Sequence, residues 1–422
     1  MRPAERAVLI GCVLAIAAVL RIAFAWCAQV QSPLAADAGQ YAQYAANLCE
    51  HGTFSLAKQV PPPPDSFRSP GYPLFLAACR ACAGAAGWQG LAIALQVALG
   101  VLTVLALYRT VRACAGFGAG LLAASLVALS PHLVVSSSFL LTECLTCFLV
   151  TVGFWLVAGA RSRVRLAAGA AAFGAAVLCN EALLPVPLLV GCVWWRKERG
   201  RAACFVGLAL LPFVAWTLRN QVTELHLRGS ERVVASISHG SYPGMVFGGD
   251  PRSFGFPYRA DPEQPRFGSS WPELRRVLGE RVAAAPWRHA AWFLLEKPVW
   301  LWSFDLVQGD GVMVYAVSGS PYERHAVMGA TYTLMRWLHA PLMVLAAVGG
   351  LLSMLRARRE AGWLPAAMAA AAVAVTLAYL PVIPDPRYLQ PVRPLVLGIG
   401  AITCMALMAR GRRGRRDSIA AP

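Results

Sequence analysis

The feature that most constrains this chain is a series of apolar runs, each about as long as the roughly 20 residues that cross a bilayer as a helix. They lie at 7–26, 89–108, 117–135, 140–159, 165–180, 184–195, 202–217, 338–355, 362–380 and 388–409. Hydrophobic residues make up 57% of the chain and charged residues only 14%, against about 25% charged in soluble domains. This composition excludes an ordinary soluble enzyme and a disordered chain. It predicts an all-α polytopic transmembrane helix bundle of about 10–13 spans.

The connectors between these runs predict the orientation of the chain. Half of the 38 Lys and Arg residues lie on alternate connectors, with few acidic residues beside them. These connectors are 2–6, 109–112, 161–165, 196–201, 356–360 and 410–417. The positive-inside rule assigns them to the cytoplasm, so both termini are expected there. The net charge of +17 is then a topology signal, and nucleic acid is not needed as a partner.

The same topology divides the chain into three predicted regions. Residues 1–218 form an N-terminal transmembrane core with a long first outer loop at 27–88, which bears amphipathic helices. Residues 219–337 form an outer loop and interfacial segment, and residues 338–422 a C-terminal bundle with a basic cytoplasmic tail. Within the middle region, 292–304 is apolar but interrupted by charged residues and proline, which favours an interfacial or re-entrant segment.

The N-terminus has two interpretations. A basic start, an apolar run and small residues near Ala25 resemble a cleaved signal peptide. Arg21 interrupts the run, which favours a retained span with Arg21 snorkelling near its outer end.

The spacing of the cysteine and histidine residues does not indicate a metal site. The C-x-x-C pairs at 79–82 and 144–147 lie in apolar helical segments without nearby His. No His spacing is typical of a zinc site, so a divalent metal is compatible with the sequence but not indicated. A disulfide between Cys27 and Cys49 in the first outer loop is one alternative.

The first outer loop predicts an amphipathic helix with an acid at its start. Tyr41, Tyr44, Ala45 and Leu48 fall on one helical face. Asp37 precedes them and forms with the residue three places later a D-x-x-Q capping box. A capping role and a catalytic role are compatible at this position.

Other unusual charged residues fall at outer connections. Arg68 follows a proline run, Glu143 opens the fourth span, and Arg219 follows the seventh. Arg387 opens the final span in P-D-P-R-Y, where the helix dipole disfavours arginine by about 0.3–1 kcal/mol. A bound anion would remove that objection, so these residues predict one charged outer site.

These motifs carry a family resemblance. An Asp in the first outer loop is followed by R-S-P-G-Y-P-L-F-L, T-E, W-T-L-R-N and P-D-P-R-Y-L-Q-P. In this order they resemble the bacterial branch of the C-type (GT-C) glycosyltransferases, which include dolichyl-phosphate-mannose protein mannosyltransferases and lipid A aminoarabinose transferases. The resemblance covers roughly 7–220 and, less strongly, 380–410, and leaves 221–337 unmatched.

The resemblance implies a multi-pass glycosyltransferase of the bacterial cytoplasmic (inner) membrane that takes a sugar from a polyprenyl-phosphate carrier at the outer (periplasmic) face. Asp37 would be the general base of an inverting displacement. The leaving phosphate would meet three arginines, and the acceptor would be a lipid, glycan or protein. The predicted substrate-binding residues are Arg68, Tyr72, Glu143, Arg219, Arg387 and Tyr388. The chain departs from many relatives at Ala38, where they have a second acid, and at Asn180-Glu181, where they often have a basic residue.

Two other functions remain open from the sequence. A transporter or lipid flippase would also explain buried charges in a helix bundle, although transporters usually hold them near the bilayer midplane in repeated halves. A polysaccharide polymerase or ligase would share the lipid-linked substrate. The charges gathered at one interface favour the glycosyltransferase.

Overall fold

Every predicted apolar run is helical in the computed structural model, which describes residues 2–159, 162–195, 198–225, 228–246, 261–356 and 362–419, the side chains of the last segment as far as 410. In chain order the helices are α1 (Pro3–Cys27), α2 (Ala36–His51), α3 (Gly71–Leu129), α4 (Pro131–Val135), α5 (Thr142–Ala158), α6 (Arg163–Cys179), α7 (Pro185–Trp195), α8 (Arg199–Val222), α9 (Gly229–Ser241), α10 (Gln264–Phe267), α11 (Trp271–Ala284), α12 (Pro286–Ala291), α13 (Lys297–Leu301), α14 (Pro321–Arg324), α15 (Ala326–Leu355), α16 (Trp363–Tyr379) and α17 (Arg393–Ile419). Short 3-10 helices cover Glu181–Leu183 and Pro386–Val392, and a π-helical turn covers Trp292–Glu296. The predicted all-α polytopic bundle is confirmed.

Two predicted apolar runs share one long helix. The run 89–108 and most of the run 117–135 lie on α3, which begins at Gly71 and bends at Gly84 and Gly116, where φ is +71° and +83°; α4 holds the end of the second run. Glycine adopts these left-handed angles without the steric penalty of other residues. Helix α3 thus includes residues 71–88 of the predicted first outer loop.

Five of the described helices are long and apolar enough to cross a membrane. They are α1, α3, α8, α15 and the segment Pro386–Arg410 that includes most of α17, while α5, α7 with the turn before it, and α16 are shorter apolar helices. The α15 helix begins twelve residues before the predicted span at 338–355. Helix α3 packs against α1, α5 and α17, so one continuous apolar core joins the first and last thirds of the chain. The predicted boundaries of the three regions remain predictions.

Arg21 corrects the snorkelling prediction. Its side chain is fully buried, and its Nη1 donates to the carbonyls of Ala17 at 3.0 Å and Ala128 at 3.4 Å. The terminal nitrogens of the guanidinium therefore donate to carbonyl groups inside the bundle, while Nε has no hydrogen-bond partner among the described residues.

The middle region forms a small layer of its own beside the membrane helices. Helices α9 and α11 share a separate apolar cluster of Val234, Phe267, Leu274 and Val277. Arg281 joins the layer by ion pairs to Asp261 and Glu263, at 3.5 and 2.5 Å.

The segment predicted to be interfacial or re-entrant is a broken helix in which a π-helical turn separates α12 from α13. Lys297, at the start of α13, is fully buried, and its Nζ donates to the Leu380 carbonyl at 2.6 Å. The strands β1 (Gln29–Val30) and β2 (Val317–Ser318) form one antiparallel pair. These contacts tie the middle of the chain to the first loop and to the loop before α17.

Candidate active site

Asp37 lies in the first turn of α2, and the predicted capping box is wrong. The residue that precedes the helix is Ala35, and no side chain caps it. Gln40 instead accepts a hydrogen bond from Arg68 Nε at 2.6 Å. The predicted apolar face of this helix is confirmed, because Tyr41, Tyr44 and Ala45 are buried. With no capping role, the Asp37 carboxylate serves other partners.

Arg68 is brought to Asp37 by a loop that Asp65 organises. The Asp65 carboxylate accepts hydrogen bonds from the Tyr44 hydroxyl and from the backbone N–H of Leu56, at 2.7 Å for the latter. Gly71 then begins α3 so close to Cys179 that a Cβ atom there would lie 2.7 Å from its backbone nitrogen. The glycine of the R-S-P-G motif, three residues after Arg68, therefore packs against the end of α6.

Arg387 lies in the 3-10 helix Pro386–Val392 that precedes α17. Asp385 caps this helix by accepting the backbone N–H of Arg387, at 2.8 Å, and it also accepts the N–H of Gln308 at 2.8 Å. The P-D-P-R motif thus fixes the arginine backbone, and the guanidinium extends toward the acids of α2 and α5.

Two acids and two arginines form a chain of ion pairs at the centre of the site. Asp37 Oδ1 lies 2.5 Å from Arg68 Nη2, and Asp37 Oδ2 lies 3.2 Å from Arg387 Nη2. Arg387 Nε lies 3.4 Å from Glu143 Oε1. All four side chains are between 10% and 14% exposed, so their charges are weakly screened by water. The four charges sum to zero.

The electrostatic surroundings keep Asp37 ionised. Burial alone would raise the pKa of its carboxyl, but the guanidiniums of Arg68 and Arg387 outweigh burial and lower the pKa below its usual value. The carboxylate can accept a proton only if that pairing weakens.

A cavity of about 360 Å³ opens beside this cluster. The predicted residues Asp37, Arg68, Glu143, Arg387 and Tyr388 line it. Tyr388 stacks on Tyr379, with ring centroids 4.8 Å apart and an interplanar angle of 8°. The sequence motifs, which are up to 350 residues apart, therefore meet at one cavity.

Two predicted residues do not reach this cavity. Arg219 Nη1 donates to the Asp65 carbonyl at 2.7 Å, and its guanidinium lies 4.8 Å from the Trp216 ring centroid. Tyr72 is fully buried and donates to Gln96 Oε1 at 2.8 Å. Arg219 thus supports the loop that carries Arg68, and Tyr72 packs behind Tyr41 with ring centroids 5.2 Å apart.

The cavity is also lined by polar residues outside the predicted site residues, among them Glu181, which the sequence analysis placed at an outer connection. Arg232 of α9 faces Glu181, with Nη2 3.9 Å from Oε2, and Ser69 donates to Glu181 Oε1 at 2.9 Å. Asn180 Nδ2 donates to the Tyr379 hydroxyl at 2.7 Å. Arg232 comes from the region without a recognisable motif, and no sequence signal distinguished it from the other arginines there.

Metal ligation and disulfide bonding were left open by the sequence. Within the described parts of the chain, no group of three or more His, Cys, Asp or Glu side chains is placed to hold a metal ion. Cys27 and Cys49 are free thiols, so the predicted disulfide alternative is not present in the structure.

An apolar groove of about 580 Å³ runs along the membrane helices near the cavity. It lies between α13, α15, α16 and α17 and is lined mainly by aliphatic side chains, together with Trp302. Thr376 and Leu377 of α16 line the groove, and Tyr379 of the same helix lines the polar cavity. Neighbouring residues of one turn of α16 therefore line the apolar groove and the charged site.

Comparisons with known proteins extend the fold assignment. No family model and no curated protein sequence matches this chain. Among solved structures, the oligosaccharyltransferase of Archaeoglobus fulgidus matches in the apo form with a TM-score of 0.52, at 13% identity, over 100% of this chain and 53% of that one. The same enzyme tethered to an acceptor peptide matches with a TM-score of 0.53, at 13% identity, over 97% and 50%.

ArnT from Cupriavidus metallidurans bound to undecaprenyl phosphate gives a TM-score of 0.49, at 15% identity, over 96% of this chain and 60% of that one. The chain spans about half the length of the oligosaccharyltransferase that it matches. It shares the fold of that oligosaccharyltransferase.

Proposed function

We propose that this chain is a membrane glycosyltransferase that moves a sugar from a polyprenyl-phosphate donor to a hydroxyl acceptor at the outer face of the membrane. The observation that carries the proposal is the ion-paired Asp37, held between two guanidiniums on the wall of a 360 Å³ cavity. A carboxylate and paired arginines are the groups needed to accept a proton and to stabilise a leaving phosphate.

In the proposed reaction, the acceptor oxygen forms a bond to the anomeric carbon of the sugar. Asp37 takes the acceptor proton as this bond forms. The bond between the anomeric carbon and the phosphate oxygen breaks, and its electron pair leaves with the polyprenyl phosphate. A single displacement of this kind inverts the anomeric configuration.

The ion pairs of Asp37 couple the basicity of its carboxylate to donor binding. When Arg68 and Arg387 turn toward a donor phosphate, they stabilise the carboxylate less, and burial then raises the pKa of Asp37. Asp37 would thus become a better base when the donor is bound. The same guanidiniums stabilise the charge that develops on the leaving phosphate.

Glu143 fits a positioning role in this scheme. It lines the cavity, and its Oε2 atom makes no hydrogen bond to any residue that the structure describes. A buried carboxylate oxygen of this kind can accept a hydrogen bond from a sugar hydroxyl.

The neighbouring apolar groove fits the isoprenoid part of the donor. Its aliphatic lining can bury a polyprenyl chain, and α16 joins it to the cavity. The charged site lies between α2 and the beginnings of α5 and of the segment before α17. This position at one end of the bundle favours an enzyme over a transporter, whose binding site lies near the bilayer midplane.

The proposal is tested by single-turnover transfer in proteoliposomes. Purified protein is given a panel of polyprenyl-phosphate sugars with lipid, glycan and peptide acceptors, and the product is analysed by mass spectrometry and NMR. We expect transfer with an inverted anomeric centre. Absence of transfer across the panel, combined with transport of the lipid-linked sugar between leaflets, would favour a flippase.

A further inference from the structure

Arg232 is held in the wall of the cavity by a hydrogen bond to the first outer loop. It lies in the first turn of α9, and its Nε donates to the Phe67 carbonyl at 3.2 Å. Because Phe67 directly precedes Arg68, this hydrogen bond brings the Arg232 side chain next to the backbone that carries Arg68, and both arginines line the same cavity.

The far end of α9 is fixed as firmly as its start. A Cβ atom on Gly240 would lie 2.4 Å from the Pro381 carbonyl oxygen, so only glycine permits this close contact. Trp292 Nε1 also donates to the Gly240 carbonyl at 3.0 Å. The helix is therefore anchored at both ends, and Arg232 is held in position.

Arg232 differs from the other two arginines of the cavity in what it binds. Arg68 and Arg387 are paired with Asp37 and are about 90% buried. The two terminal nitrogens of Arg232 make no hydrogen bond to a residue in the described ranges, and its side chain is 32% exposed. Its nearest carboxylate oxygen is Glu181 Oε2, at 3.9 Å.

We propose that Arg232, rather than Arg219, is the guanidinium that first binds the phosphate of the lipid-linked donor. This inference rests on the proposed function and names a further binding residue for it. A phosphate that reaches Arg232 gains paired N–H donors in a planar fork without breaking the ion pairs of Asp37. Arg68 and Arg387 then engage the phosphate in a second step.

Glu181 has a defined part in this arrangement. Its carboxylate accepts a hydrogen bond from the Ser69 hydroxyl. The same carboxylate faces Nη2 of Arg232, which is one of the nitrogens that would hold the phosphate. Two anions compete for one guanidinium, so Glu181 weakens phosphate binding. Its removal by Glu181→Gln should strengthen that binding.

The test is a binding titration on the purified full chain in detergent. The probes are a polyprenyl monophosphate, the polyprenol of the same length and inorganic phosphate. The variants are Arg232→Gln, Arg232→Lys and Glu181→Gln. The matched control is Arg276→Gln, an exposed arginine of α11 that pairs only with surface acids. Size-exclusion profiles and thermal midpoints verify that each variant is folded.

We expect Arg232→Gln to raise the Kd for polyprenyl monophosphate about tenfold, Arg232→Lys to raise it less, and Glu181→Gln to lower it. The control variant should bind like the wild type, polyprenol binding should not change, and inorganic phosphate should bind more weakly than the lipid.

Normal lipid-phosphate binding by Arg232→Gln, together with its loss in Arg387→Gln, would overturn the inference and leave the proposed function standing. Equal losses for polyprenol and polyprenyl monophosphate would also overturn it, because they indicate a structural defect. Inorganic phosphate binding as tightly as the lipid would overturn the lipid assignment. A wild-type protein that binds no polyprenyl monophosphate would contradict the proposed function as well.

Discussion

Replacing Asp37 by Asn separates the charge of this residue from its shape. Asn keeps the size of the side chain and one oxygen acceptor, but it has no negative charge and cannot take a proton. Arg387 would then keep its ion pair with Glu143, while the ion pair of Arg68 with Asp37 would be lost. Because α2 is not capped by Asp37, the substitution leaves the start of this helix intact.

We expect losses of both turnover and stability, because Asp37 is the proposed base and is ion-paired with Arg68 and Arg387. A general base contributes typically about 10² to 10⁴ in rate, so we expect turnover to fall at least about a hundredfold. Removing one partner of a buried ion pair destabilises a protein by about 3–5 kcal/mol. The thermal midpoint of the purified protein should therefore fall as well.

A double variant distinguishes lost chemistry from lost stability. Asp37→Asn combined with Arg68→Gln removes one anion and one cation, so the cluster regains its charge balance. We expect the thermal midpoint to recover in part, while sugar transfer stays low. A matched control is Glu50→Gln on the same helix, because Glu50 pairs with Arg80 at 2.5 Å but is 52% exposed. This control should keep normal transfer.

The assay is transfer of a radiolabelled sugar from the polyprenyl-phosphate donor by purified protein in proteoliposomes, at saturating donor. Transfer by Asp37→Asn above about a tenth of the wild-type rate would contradict the reasoning. Recovery of transfer in the double variant would contradict it too, because activity would then depend on charge balance alone.

Three further predictions concern the same cluster. Arg387→Lys should keep partial activity, because lysine keeps the charge but not the paired donors, and Arg387→Ala should keep very little. The loss should appear mainly as weaker donor binding in donor titrations. Unchanged donor affinity in the Ala variant would leave Arg387 a structural residue. Glu143→Gln should reduce transfer by about tenfold, less than Asp37→Asn, and an equal loss in both variants would refute its positioning role. Since the pKa of Asp37 in the donor-free protein lies below the ordinary value of about 3.9, kcat/KM for the donor, which reports the free enzyme, should not fall between pH 7 and 5. The stability from the ion pairs of Asp37 should be lost only as the pH falls through that lowered pKa; a midpoint near pH 6 in either profile would contradict this.

The sequence predicted the helices and most of the charged cluster for physical reasons. Apolar runs of spanning length have few alternatives to a helix, because a backbone in lipid must satisfy its own hydrogen bonds. Arg387 and Glu143 were found because each lies where its charge is unfavourable or unusual. Counting spans was enough to bring them to one face of the membrane together with Asp37 and Arg68.

The errors arose where tertiary contacts outweigh local patterns. The D-x-x-Q pattern predicted a cap at Asp37, but Gln40 binds Arg68 and the helix begins earlier. Arg21 was expected near water, yet carbonyl groups inside the bundle bind its guanidinium. Arg232 carries no local signal, because its role depends on how α9 packs on the first loop.

The measurement that tests the central claim most directly is a mass-spectrometric comparison of lipids and glycans from three strains. One lacks this protein, one is complemented with the wild type, and one with Asp37→Asn at equal membrane abundance. We predict that the first strain accumulates a polyprenyl-phosphate sugar and lacks one sugar modification of a surface lipid, glycan or protein. The wild type should reverse both changes, and Asp37→Asn should reverse neither. Full reversal by Asp37→Asn, or the same lipid-linked sugars in all three strains, would contradict an Asp37-dependent transfer from a lipid-linked donor.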